Sequence, residues 1–420
     1  MKNFDIIVIG AGLAGIMSAI CAARQKRKVA LITNGAGSLA ISSGSIDVLG
    51  YAHGKRVDYP LDALHLLSDE HPYSLVGADA VRGSLSLFRL ICAEAGFAHV
   101  QGENGRNLEL VTVMGTTKPA FMCQESFDAS CLHEADHAVV LTVENMKDVH
   151  PVLIAGQLRR SGHFPSTSFE CATLPCPLSH MHRNITPLDM ARFADSPEGE
   201  AWLMDNLSPL AKRFPAILLP PMLGVRRHAE IWRRICGELG ARTVEMVSIP
   251  PGVAGLRLRE ALMRIVNASG IHFVENATVT HANVQDGKCL SLFTSAADGS
   301  REWAAEQFVA ATGGILGGGI STAPGKAWET VFQIPIDAPS DPQQWSSPEI
   351  FGKSFFASMG VRVNRQFKAV DAAGRELLSN VRFAGNVLGG YDFGTEKSGD
   401  GVALVTGMQA GLQAAGEMGA

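Results

Sequence analysis

The run Val8-Ile9-Gly10-Ala11-Gly12-Leu13-Ala14-Gly15 constrains this chain more than any other stretch. It places G-x-G-x-x-G directly after an apolar strand, Phe4 to Ile9, and opens a predicted helix, Leu13 to Arg24, which leads to a second strand, Val29 to Thr33. In such a βαβ unit the first glycine permits a tight turn, the second lets backbone approach a phosphate, and the third lets the helix pack closely. The helix end then presents N–H groups to the anion. Gly10, Gly12, Leu13, Ala14 and Gly15 are therefore the first candidate contacts. Ile6 to Ala23 is 18 residues without a charge and superficially resembles a membrane span. Its β-rich start, spaced glycines and basic Arg24-Gln25-Lys26-Arg27-Lys28 flank instead fit a buried strand, turn and helix.

At 420 residues, 46% hydrophobic and 18% charged, the chain is long enough for two packed domains and too apolar for disorder. Its 44 glycines favour a well-buried α/β protein. Lys and Arg total 36 against 41 Asp and Glu, a net charge of −5, which lacks the basic excess of a nucleic-acid binder. The eight cysteines are scattered without any C-x-x-C, which argues against zinc ribbons and ferredoxin-type clusters and fits reduced thiols with no metal site. Pro250-Pro251-Gly252 marks a boundary. The expected division is a discontinuous domain of residues 1–57 plus 252–420, with 58–251 inserted as an α+β cap or substrate domain.

Around the first fingerprint stand further glycine-rich loops. The second strand ends in Ile32-Thr33-Asn34-Gly35, without the acidic side chain that usually holds an adenosine ribose. Asn34 suits either an FAD site with a weaker ribose contact or an FMN site that never holds adenosine. Ser42-Ser43-Gly44-Ser45 offers three hydroxyls for phosphate or flavin-ring contacts. Thr312-Gly313-Gly314 follows the strand Gln307 to Thr312 at a point suited to a close cofactor approach. The third loop comprises Gly385-Asn386 and Gly389-Gly390, with Gly401-Val402-Ala403 opening a helix of small residues. The positive end of that helix can stabilise negative charge on a reduced flavin near N1 and C2=O. The order of these segments resembles the glutathione-reductase-type, Rossmann-like flavoprotein fold.

Catalytic residues are not legible. Alcohol oxidation needs a base, and a phosphorylated substrate needs Arg or Lys. His180, His182, Arg183, the run Arg226-Arg227-His228, Arg257 and Arg259 are candidates, though each reads more readily as a solvated or capping residue.

Val8 to Gly15, Ser38 to Leu49 with its Ser-Ser-Gly-Ser-Ile-Asp core, and Phe383 to Gly411 together resemble the B subunits of the bacterial anaerobic glycerol-3-phosphate dehydrogenases. The resemblance implies a three-subunit complex that oxidises sn-glycerol 3-phosphate to dihydroxyacetone phosphate and passes electrons to a membrane quinone. It implies an FAD-containing A subunit, an iron–sulfur C subunit, and FMN on this chain, with FAD as the alternative. A peripheral place on the cytoplasmic face of the inner membrane, reached through partner subunits, also follows. Two other readings remain open: a self-sufficient flavin oxidoreductase of the fumarate-reductase type, and an assembly subunit that has lost its cofactor.

Overall fold

The computed structural model describes residues 2–181, 183–349, 352 and 354–419. Its contacts divide into two units, residues 1–38, 47–95 and 262–420 in the first, and 39–46 with 96–261 in the second. The division thus falls elsewhere than at 57/58 and 251/252. Residues 58–95 join the first unit because the helix Ala78–Glu94 packs its buried face, Val81, Leu85 and Phe88 among it, within that unit. The serine loop 39–46 joins the second.

In chain order the principal elements are β1 (Lys2–Ile9), α1 (Leu13–Arg24), β2 (Val29–Ile32), α2 (Ala78–Glu94), β3 (His137–Val143), α3 (Pro151–Ser161) and β4 (Ser168–Leu174). Next come β5 (Ala216–Leu219), α4 (His228–Leu239), β6 (Arg242–Glu245), α5 (Val253–Ala268) and β7 (His272–Val274). The chain continues through β8 (Ala277–Gln285), β9 (Lys288–Ala296), β10 (Gly299–Ala310), β11 (Val381–Phe383) and α6 (Gly399–Gly416).

The first unit is built on a seven-stranded sheet in the order β7-β2-β1-β10-β9-β8, with β11 also paired to β10. β7, β2, β1, β10 and β11 run parallel, whereas β8, β9 and β10 form an antiparallel meander. Ile6, Ile7 and Val8 are fully buried, as a parallel strand covered on both faces requires. The helix α1 packs along α6, and glycine makes this possible. A Cβ on Gly407 would stand 2.3 Å from the Ala14 carbonyl oxygen, and one on Gly411 would stand 2.3 Å from that of Ser18. The helix pair thus pulls the closing segment of the chain onto its first βαβ unit. The apolar run Ile6 to Ala23 is here the end of β1, a turn and most of α1, and among the described residues no helix is long and apolar enough to cross a membrane.

The second unit has a four-stranded parallel sheet in the order β4-β3-β5-β6. This is a doubly wound order, with helices in the crossovers. Two short antiparallel pairs, Val100–Gln101 with Met122–Cys123 and Leu108–Val111 with Thr117–Ala120, add to its β structure.

One buried acid makes the stability of the first unit depend on pH. Glu329, on the strand Lys326–Glu329, is fully buried and accepts N–H bonds from Val331 (3.1 Å) and Phe332 (2.6 Å). Burial pushes its carboxyl up to about 7 against an ordinary 4.5, despite those two donors. The folded state therefore holds the proton more tightly, and this contribution, complete below pH 4.5, is lost as pH rises to about 7. Glu329→Gln should gain on the natural chain by about 3 kcal/mol between pH 5 and pH 8. Urea unfolding at the two pH values checks this, and an unchanged difference would refute it.

Candidate functional site

β1 delivers the chain to Gly10, whose φ of +99° turns it while its N–H donates to the Ile32 carbonyl at 2.8 Å. A Cβ there would lie 2.3 Å from the Ala311 carbonyl oxygen, so only glycine lets the ends of β1 and β10 meet. Gly12 caps α1 without a side-chain bond, and the N–H groups of Leu13, Ala14 and Gly15 find no acceptor among the described residues. A Cβ on Gly12 would meet nothing nearer than Ser38 Oγ at 3.5 Å. This is an open amino end of a 12-residue helix, with three free donors and a positive dipole end. Asn34, just past β2, is exposed. Its neighbour Thr33 closes the turn by donating from Oγ1 to the Gly35 carbonyl at 2.8 Å.

Past the end of β10, Thr312 carries a buried Oγ1 with no hydrogen-bond partner. Gly313 turns the chain at φ +79°, and a Cβ on Gly314 would sit 2.8 Å from the Asn386 carbonyl oxygen. At Gly385 a Cβ would lie 2.8 Å from Ala14 Cβ and 3.9 Å from Ala403 Cα. The structure therefore brings the Gly10–Gly15 turn, the Thr312–Gly314 turn, Gly385-Asn386 and the start of α6 together in one unit. Gly389 and Gly390 pack instead against Gly360 and the Glu70 carbonyl.

The donors expected at α6 are partly spent. The Gly401 N–H donates to the Asp47 carbonyl at 3.0 Å, and that of Val402 to Ser398 at 2.9 Å. What α6 retains toward a ligand is the dipole of an 18-residue helix whose Ser398 cap adds no side-chain bond, partly offset by Asp400 in its first turn.

Sequence reasoning missed the polar cluster beside this helix end. His71 Nδ1 accepts the Tyr73 N–H at 3.0 Å, which leaves Nε2–H to donate to Glu396 Oε2 at 3.2 Å. The same carboxylate accepts from Ser398 Oγ at 2.9 Å. Tyr391 donates to Asn386 Oδ1 at 2.8 Å, so the Asn386 amide nitrogen is the end left to donate elsewhere. Burial, followed by the charges of Glu396 and Asp400, pushes the Tyr391 phenol well above its ordinary range, so it stays a donor. The histidine carried no motif, and its carboxylate partner lies 325 residues away in sequence.

Ser42, Ser43, Gly44 and Ser45 belong to the second unit. Ser43 and Ser45 hydroxyls lie 2.7 Å apart, and Lys118 Nζ donates to them at 2.7 and 2.9 Å. Gly44, at φ +66°, lies against the backbone of Ala254 and Gly255 at the start of α5.

The candidate cations are mostly tied to carboxylates. Arg183 forms a two-pronged pair with Asp189 at 2.9 and 2.8 Å, and Arg227 reaches Glu200 at 2.8 Å and Glu230 at 2.5 Å. Arg226 is exposed, 3.7 Å from Glu260. Arg259 is half-buried, His180 is exposed, and His182 lies outside the described residues. Arg257 is buried and pairs with Glu245 at 2.6 and 2.9 Å, with a third bond to the Gly224 carbonyl at 2.7 Å.

Glu245 also accepts from Ser126 Oγ at 2.8 Å and lies 3.2 Å from His228 Nε2. Ser126 Oγ is itself 2.8 Å from that same nitrogen. A hydrolytic triad needs serine and acid on opposite nitrogens, and here both meet Nε2. Burial would raise the Glu245 carboxyl, but the Arg257 charge and hydrogen bonds outweigh it and hold the group well below the usual range. Burial and the same arginine push His228 down. This is a fully partnered internal ion pair rather than a substrate site.

The residues of the first unit fit a flavin carrying a phosphate tail. The free N–H donors at α1 would hold the phosphate, the glycine turns leave room for close approach, and the unpartnered Thr312 hydroxyl could take a polar partner. Among the described residues no cluster of three His, Cys, Asp or Glu side chains could hold a metal ion.

Removing one partner of the buried pair should show its structural role. Glu245→Gln is expected to cost about 3–5 kcal/mol by leaving the Arg257 charge uncompensated, whereas Glu245→Leu combined with Arg257→Met should cost clearly less than the single change. Chemical denaturation of the three proteins measures this, and additive losses in the double variant would overturn the assignment.

The chain is similar in sequence to proteins of known family. The family model described as FAD binding domain matches residues 5–402. A probable B subunit of the anaerobic glycerol-3-phosphate dehydrogenase of Halobacterium salinarum is 30% identical, covering 98% of this chain and 97% of its own. The B subunit of the anaerobic glycerol-3-phosphate dehydrogenase of Aliivibrio fischeri is 26% identical, covering 97% and 94%. Among solved structures, the 3-ketosteroid delta1-dehydrogenase of Sterolibacterium denitrificans is 10% identical with a TM-score of 0.46, covering 100% of this chain and 99% of its own. By the extent of the match in both sequence comparisons, the chain belongs to the FAD-binding domain family and to the anaerobic glycerol-3-phosphate dehydrogenase B subunits within it.

Proposed function

We propose that this chain is the flavin-bearing B subunit of a complex that oxidises sn-glycerol 3-phosphate to dihydroxyacetone phosphate. The observation that carries the reading is the meeting of the Gly10–Gly15 turn, Thr312–Gly314, Gly385-Asn386 and α6 in one unit of a chain similar to such subunits over its whole length. In the reaction the alcohol loses hydride from carbon and a proton from oxygen, and the flavin, when bound, supplies the two-electron oxidant. The chain's own part is to hold it. The amino end of α1 binds the phosphate tail, the positive end of α6 favours negative charge placed near it, and the Tyr391 bond turns the Asn386 amide nitrogen outward as a donor.

Work alongside an FAD-containing A subunit and an iron–sulfur C subunit is part of the proposal, with electrons reaching a membrane quinone through them. The chain then sits peripherally on the cytoplasmic face of the inner membrane. Its engaged arginines support a subunit role over a self-sufficient enzyme, since Arg183, Arg227 and Arg257 are each paired with carboxylates. The family relationship favours FAD as the cofactor. FMN remains the second reading, because Asn34 sits where a ribose-binding carboxylate would stand.

The purified chain should carry flavin, turn over sn-glycerol 3-phosphate negligibly alone, and support turnover once its partner subunits are added. Chromatography of the flavin released on denaturation separates FAD from FMN. Gly12→Val should weaken flavin retention at least about tenfold while leaving the circular dichroism spectrum intact, because the side chain would project into the open end of α1. A chain that stays colourless after incubation with either flavin, or steady turnover without partners, would contradict this reading.

A further inference from the structure

A separate cavity of about 300 Å³ opens in the first unit, beside α6. Ser74, Gly77, Arg365, Phe367, Gln409 and Gln413 line it. Gln409 and Gln413 lie eight and twelve residues along α6 from Gly401, about 12 and 18 Å at 1.5 Å per residue. The cavity is therefore distinct from the glycine turns described above. Its volume is at the lower end for ligand pockets and too small for a dinucleotide.

The turn that carries Arg365 is held under strain. Asn364 Oδ1 accepts the N–H groups of Gln366 (2.9 Å) and Lys368 (3.1 Å), and the Phe367 N–H donates to the Asn364 carbonyl at 2.9 Å. Phe367 takes the left-handed conformation at φ +58°, where glycine is usual, with its ring fully buried. A bulky residue there is strained and persists because packing over-determines it. The anchored phenylalanine fixes the backbone beside Arg365, whose guanidinium makes no hydrogen bond or ion pair among the described residues.

Two further observations set the kind of ligand. Gln413 Nε2 donates to the Arg365 carbonyl at 3.3 Å, and the other end of the amide, Oε1, is buried with no partner. A buried acceptor without a donor is destabilising, a cost that a ligand hydroxyl would remove. Gly77 caps the 17-residue α2 with no side-chain bond, and a Cβ on it would meet nothing within 4 Å. Asp79 in the first turn of α2 partly offsets that positive end, leaving Arg365 as the principal charge.

We propose that this cavity binds a small hydroxylated oxyanion, a phosphate or carboxylate with at least one neighbouring hydroxyl. Arg365 takes the oxyanion in its planar fork, and Gln413 Oε1 accepts from the hydroxyl.

The test is hydrogen–deuterium exchange on the flavin-loaded chain with sn-glycerol 3-phosphate, D-glycerate, inorganic phosphate or glycerol at millimolar concentration. It reads local protection and needs neither turnover nor a change in flavin, so its outcome is separate from that of the proposed reaction. Protection of amides 74–80 and 364–368 by the two hydroxylated anions is expected, and which of the two protects more assigns phosphate or carboxylate. Arg365→Ala should weaken that protection at least about tenfold. Gln413→Leu should weaken it for the hydroxylated anions and leave any protection by inorganic phosphate unchanged. Absence of protection in these segments with every probe, protection confined to the glycine turns, or an unaltered response in Arg365→Ala would overturn the site.

Discussion

The packing of backbone directly on backbone at the ends of β1, β10, α1 and α6 is the constraint on which the rest of the first unit depends. Gly10 touches Ala311, Gly15 sits on the Gly10 carbonyl, and Gly407 and Gly411 bring α6 onto α1. Each contact is closer than any side chain permits, and together they join segments that lie almost 400 residues apart. Close approach has an electrostatic consequence as well as a steric one. It leaves the amino end of α1 without internal acceptors among the described residues while seating the start of α6 in the same neighbourhood, an arrangement suited to an anion.

The second unit solves a different problem. The strands β3, β5 and β6 of its parallel sheet are almost wholly buried, and the carboxylate at the end of β6 must be neutralised inside the protein. Arg257, Ser126 and the backbone N–H of Leu223 do this for Glu245, with His228 alongside. Asp195 does similar work for the backbone at the start of α4, accepting from the N–H groups of Val225, Arg226 and Arg227 at 3.0 to 3.1 Å. An anion-binding turn is thus filled by the chain's own carboxylate. Residues that resemble catalytic or substrate-binding groups in sequence are here parts of an internal charge balance.

The membership of the chain in the FAD-binding domain family and among the glycerol-3-phosphate dehydrogenase B subunits joins these local features to a single activity class. Within the first unit, chemistry with a directional preference lies beside α6. There His71 is held as the Nε2–H tautomer, Glu396 accepts from His71, Ser398 and the Asp392 N–H, and Tyr391 orients Asn386.

Much of this was legible from residues alone. The βαβ unit from Phe4 to Thr33 follows from local pattern, since an apolar run, spaced glycines and a basic stop act within 30 residues, and α1 occupies the expected Leu13–Arg24 span. Loops at 312–314 and 385–390 announced themselves through glycine for the same reason. Sequence could not show that Ser42–Ser45 packs with the second unit, that residues 58–95 pack with the first, or that the Gly401 N–H is spent on Asp47. Nor could it pair His71 with Glu396 or Arg257 with Glu245. Turns and helix ends are governed by short-range sterics, which a sequence carries directly. Hydrogen-bond partnerships and the neutralisation of buried charge depend on which distant segments meet, and only the folded chain decides that.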